Sequence, residues 1–82
     1  MKGQIVVCKD FTGTHLVRVA WDSNETLIFI HTRDQFDRRI AGEKFLPPVG
    51  FPRKDVFHYD EKVIAECHEL GKEPWDKLTA YN

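Results

Sequence analysis

Three runs rich in β-branched and aliphatic residues stand close together at the start of the chain: "GQIVVCK", "HLVRVAW" and "TLIFIH". They are separated only by "DFTGT" and "DSNE". Neither connection is long enough for a crossover helix, so consecutive runs must pair antiparallel. Gly13 can supply a positive φ in the first connection, and Asp22 and Asn24 suit a turn in the second. Side-chain alternation then sets the faces. In the second run Val17, Val19 and Trp21 share one face, and Leu16, Arg18 and Ala20 share the other. The first and third runs are apolar on both faces: Ile5 and Val7 against Val6 and Cys8, Leu27 and Phe29 against Ile28 and Ile30. A sheet with one wet face alternates more cleanly. Both faces are therefore expected to be covered, or the sheet to curl toward a small barrel.

Two helices are expected to provide part of that cover. The first opens at "TRDQF", where Thr32 as N-cap and Gln35 three residues later form a capping-box pattern. Phe36 and Ile40 share a face, Asp34 and Arg38 form an i,i+4 pair, and Gly42 suits the C′ position. The second helix, "EKVIAECHEL", starts after Asp60 as N-cap and stops at Gly71. Its stripe of Val63, Ile64, Cys67 and Leu70 is expected to be buried. The tail keeps Trp75, Leu78 and Tyr81 at helical intervals and is expected to dock as a short turn.

The segment Phe45–Tyr59, "FLPPVGFPRKDVFHY", fits neither period. Phe45, Leu46, Val49, Phe51, Val56 and Phe57 would serve as a third covering element. Pro47, Pro48 and Pro52 argue against a central strand, although "DVFHY" could form a short edge. The same segment is also the best candidate for a recognition site, because "GFPRKD" sets Phe51 beside Arg53 and Lys54. Phe57 is expected in the core and Phe51 nearer the surface.

The totals narrow the function classes. The chain has 82 residues, which is one domain, and its 41% hydrophobic, 30% charged composition is that of a globular chain. Only four apolar residues, Ile5 to Cys8, precede Lys9, too few for a signal-peptide core. No run approaches the roughly 20 residues needed to span a bilayer. A cytoplasmic location without membrane association is the expectation, and the "NET" sequon at Asn24 is then without meaning. Cys8 and Cys67 read as free and buried. Net charge is −1, divided between a basic 1–54 and an acidic 55–82. That split suits attraction within the fold or between copies.

Chemistry is not written into the spacing. His15, His31, His58 and His68 are scattered, with no H-x-x-x-H or C-x-x-C pair, so no metal is expected. Neither cysteine sits in a nucleophile elbow, and the dispersed glycines make no phosphate loop, so no catalytic residue and no cofactor are assigned. The fold expected is α+β: a small three-stranded antiparallel sheet, either covered on both faces or curled in an SH3-like manner, then a short helix, the proline/aromatic segment and a C-terminal helix. The function expected is a non-catalytic protein-interaction module, binding a protein partner or itself. Its candidate contact residues are Phe51, Arg53 and Lys54, with Arg18 and His31 on the sheet. The alternative is a weak nucleic-acid binder tracking phosphates with Arg33, Arg38, Arg39, Arg53 and Lys54, and stacking bases on Trp21 or Phe29.

Overall fold

The first three runs form β1 (Ile5–Lys9), β2 (His15–Ser23) and β3 (Leu27–His31), paired antiparallel in that order. The structure, a computed structural model, describes residues 1–44 and 47–82. Thr32 caps α1 (Arg33–Ile40), with both hydrogen bonds of the capping box formed. Asp60 caps α2 (Glu61–Leu70), which ends at Gly71 in the left-handed region (φ 63°).

The sheet has five strands, not three, in the order β4-β3-β2-β1-β5. The additional strands, β4 (Val49–Pro52) and β5 (Val56–His58), both come from the segment read as a third covering element, and β5 is the short edge that "DVFHY" allowed. The prolines mislead because β4 is an edge strand, where proline is tolerated. Arg53 N–H donates to the Thr26 carbonyl at 3.1 Å, and the ladder continues Leu27↔Pro52, Ile28↔Phe51, Phe29↔Gly50 and Ile30↔Val49. Bonded and non-bonded pairs alternate along an antiparallel ladder. Phe51 and Val49 therefore turn their backbone groups toward β3, while Pro52 and Gly50 turn theirs outward. Pro52 loses no ladder bond by lacking an N–H. Phe45 and Leu46, also counted as covering residues, lie outside the described residues.

β4 and β5 are opposite edges of the sheet, yet only the 3-10 turn Arg53–Asp55 separates them in sequence. In a flat sheet the edges would stand about 19 Å apart, at roughly 4.8 Å per strand. The link from residue 52 to 56 reaches at most about 14 Å. The sheet must roll. Val6, Cys8, Ala20, Ile28, Ile30 and Val56 fill the inside of the roll, with Leu16, Phe51 and Tyr81 half-buried around them.

The opposite face is covered at two places. At one end α1 sits on β2 and β3. Trp21 is the extra residue where the β2–β3 register shifts, and its ring meets Phe36 and His31 edge-on at 5.8 and 5.7 Å. At the other end the tail after α2 packs over β5, with Trp75 4.9 Å from Phe57. The expected helical turn at Trp75 is a turn only, and the chain then runs extended beside β5. His58 N–H donates to the Thr79 carbonyl and Tyr81 N–H to the Val56 carbonyl.

Cys67 is the only buried residue of α2; Val63 and Ile64 are half-buried and Leu70 is 57% exposed. The predicted burial of Leu70 is thus wrong, because no described element covers the last turn of that stripe. Ile40 of α1 is exposed for the same reason. Ile28→Ala is expected to cost about 2–5 kcal/mol in denaturant unfolding, and Leu70→Ala about 0.5 kcal/mol or less. Similar costs at the two sites would contradict this packing.

Candidate functional site

The roll brings the tip of the β1–β2 hairpin alongside β4. A cavity of about 360 Å³ opens between them, lined by Lys9, Asp10, Phe11, Val49, Gly50, Phe51, Pro52 and Asp55. A second of about 330 Å³ is lined by Leu16, Arg18, Ile30, His31, Thr32, Gln35, Val49 and Phe51. Val49 and Phe51 line both, so the two form one groove whose middle is β4.

The hairpin tip is rigidly built. One Asp10 carboxylate oxygen accepts from Thr12 N–H, the Thr12 hydroxyl and Thr14 N–H at 2.6–2.9 Å. The Thr12 hydroxyl, and then the backbone donors, hold that carboxyl below the usual range against a desolvation penalty. Gly13 takes a φ of 84°, which a side chain would strain. Its carbonyl accepts from the Trp75 indole N–H at 2.8 Å. Beside it, Glu73 Oε2 accepts from both the backbone N–H and Nδ1 of His15 at 2.9 and 2.6 Å. The tail thus clamps the hairpin from behind. In front, Phe11 is 100% exposed. Sequence reasoning missed Phe11, because it lay inside a turn signal. Its apolar character between Asp10 and Thr12 was the available clue.

The predicted site residues do not act as one group. Phe51 is half-buried in the groove floor, while Phe57 is 8% exposed and belongs to the core. Arg53 is a structural tie: Nε donates to the Asn24 carbonyl at 3.0 Å and Nη1 to the Tyr81 carbonyl at 3.2 Å. Lys54 is exposed on the same turn. Arg18 reaches the groove and donates to its neighbour's carbonyl, Val17, at 2.9 Å.

His31 is 2% exposed and meets Arg39 Nη1 at 3.0 Å. Since a guanidinium only donates, Nε2 must accept and His31 is neutral in this contact. Arg39 also lies 4.0 Å from the Trp21 ring centroid, with Lys2 at 3.8 Å. The remaining helix cations have acidic partners. Arg33 pairs with Asp37 at 3.3 Å; Arg38 pairs with Asp34 at 3.7 Å and Glu43 at 3.1 Å.

Burial pushes the Cys8 thiol up to about 12, against a smaller pull from Arg18. Among the described residues no group of three His, Cys, Asp or Glu side chains could hold a metal ion. No described helix is long and apolar enough to cross a membrane. Comparison with known proteins adds no relative: no family model, no curated protein and no solved structure matches the chain.

Two outcomes follow from buried polar atoms. Burial first, and then the charge of Arg39, hold the His31 imidazole below its ordinary 6.5, against a contact with Gln35. The unfolded chain therefore takes up this proton first as pH falls. The stability that His31 supplies is intact above pH 6.5 and is lost progressively below it. Denaturant midpoints measured down through this range should fall more steeply for the wild type than for His31→Gln. A shallower wild-type slope would contradict the neutral assignment. Tyr81 stacks on His58 at 3.8 Å, yet its hydroxyl is buried without a hydrogen-bond partner among the described residues. Tyr81→Phe should raise stability by about 1 kcal/mol, read from the same unfolding curves. A loss of that size would reveal a partner for the hydroxyl.

Proposed function

We propose that the protein is a non-catalytic interaction module that docks other protein surface in the groove between the β1–β2 hairpin and β4, with Phe11 as its anchor. The observation that carries this reading is Phe11 itself, fully exposed on a tip held by three hydrogen bonds to one carboxylate. An exposed aromatic on a floppy loop is common and means little. One on a preorganised loop loses little further freedom on docking, so more of its burial is realised as affinity. Val49, 60% exposed, and half-buried Phe51 extend the apolar surface beside it.

Backbone pairing is a poor mode for this site. Of the outward-turned β4 positions, Pro52 has no N–H and Gly50 has one. The ligand is therefore recognised through side chains. The nucleic-acid alternative gains no support: Arg33 and Arg38 pair with carboxylates, and Arg39 and Arg53 bond His31 and main-chain carbonyls within the fold. A cation already neutralised by a carboxylate releases few counterions.

Peptides selected from a display library against the intact protein test the reading. Phe11→Ala should leave unfolding within about 0.5 kcal/mol of wild type and weaken the selected ligands about tenfold or more. Selected ligands that bind Phe11→Ala at full strength, or that shift amide resonances only outside the groove, would overturn it.

A further inference from the structure

Arg18 stands on the core side of β2. It lies opposite Val6 on β1, and Leu16 lies opposite Cys8. Val6 and Cys8 are core residues, and directly opposed residues project to the same face, so Arg18 projects into the roll. The Cys8 thiol feels its charge there. Ionised side chains drawn out of water are ordinarily paired with an opposite charge. Half-buried Arg18 has no such partner among the described residues: its guanidinium makes one hydrogen bond, from Nη1 to the Val17 carbonyl at 2.9 Å. Most of its planar fork of five N–H donors is uncommitted. Arg18 lines the cavity of about 330 Å³, with Leu16, Ile30, Val49 and Phe51 as apolar wall. No Asp or Glu lines that cavity, and His31, which does, is neutral in its contact with Arg39. Small-ligand sites span about 300–1,000 Å³ and set a few orienting polar groups among apolar walls, as this cavity does.

We infer that this cavity binds a small organic monocarboxylate, with its carboxylate on the Arg18 fork and its apolar body against Leu16, Ile30, Val49 and Phe51. One guanidinium, with no lysine among the lining residues, balances a single negative charge and not the near-double charge of a phosphate monoester. The two oxygens of a carboxylate match two parallel N–H groups of the fork. Cation and apolar wall act on different ends of the ligand, so an alcohol with the same body, or acetate, meets only one of them. The site shares Val49 and Phe51 with the docking groove but uses neither Phe11 nor the hairpin tip, so it stands apart from that reading.

Titration of the full chain with hexanoate, followed by amide resonances and the Arg18 Nε–H resonance, is the test. Hexanol, acetate and inorganic phosphate are titrated beside it. Hexanoate should shift the Ile30, Val49 and Phe51 amides and the Arg18 Nε–H, and bind about tenfold more tightly than any of the other three. Arg18→Gln, shown folded by circular dichroism, should bind hexanoate no more tightly than hexanol. Phe11→Ala should bind hexanoate as wild type does, which separates this site from the docking surface. Equal affinity of wild type for hexanoate and hexanol removes the role of the cation, and equal affinity for hexanoate and phosphate removes that of the apolar wall. Either result overturns the inference without any substitution, as does a hexanoate titration that moves none of these resonances. A tripeptide ending in leucine is the last arm. If it binds more tightly than hexanoate with its C-terminus free, and not when amidated, the fork reads chain ends and the small-acid ligand is overturned.

Discussion

The link between β4 and β5 is the constraint on which the rest of the molecule depends. Three residues, Arg53–Asp55, join the two outer strands of a five-stranded sheet. A chain that short cannot cross a flat sheet, so the strands must wrap around a common core. Everything inside the roll, from Val6 to Val56, is buried because of that geometry and not because a separate layer covers it. Arg53 reinforces the closure at the point where it is made, tying the link to the Asn24 turn and to the C-terminal tail. Its two acceptors are main-chain carbonyls, so the tie does not rely on another side chain's charge state.

The same closure makes the groove. Rolling carries the β1–β2 tip toward β4, and the tail then fixes the tip through Trp75 and Glu73. The face that results is lined by Phe11, Val49 and Phe51, with Lys9, Asp10 and Asp55 among them. Its Asp10 carboxylate holds a turn, Arg18 bonds main chain, and burial pushes the Cys8 thiol up.

The first three strands and both caps were legible because their signals are local. Thr32 and Gln35, or Asp60 and Gly71, act within one turn, and β-branched runs declare themselves without partners. β4 was not legible, and β5 only as the short edge that "DVFHY" allowed, because their pairing is non-local. "VGFP" becomes a strand only once β3 is beside it, and its prolines are harmless only on an edge. Leu70 shows a second limit. Periodicity tells which side of a helix is apolar but not whether another element lies on that side. Arg53 shows a third: beside Phe51 and Lys54 it reads as surface charge, whereas its guanidinium reaches residues 28 and 29 positions away in the chain. Of the candidate site, Phe51 was visible in the sequence. Phe11 was hidden, since only the turn around it shows that it cannot fold back.

The two free margins of the sheet are finished differently. Along β5 the tail's residues 79–81 take up backbone groups, whereas β4 has no described strand beyond it and relies on proline. A growing cross-β ladder needs a margin with regularly spaced donors, and this molecule presents a tethered strand on one side and a single glycine amide on the other. Short strands of Val, Ile and Phe are otherwise suitable material for fibrils. The chain can therefore leave an aromatic ring in water while its main chain gives a passing strand few donors to extend.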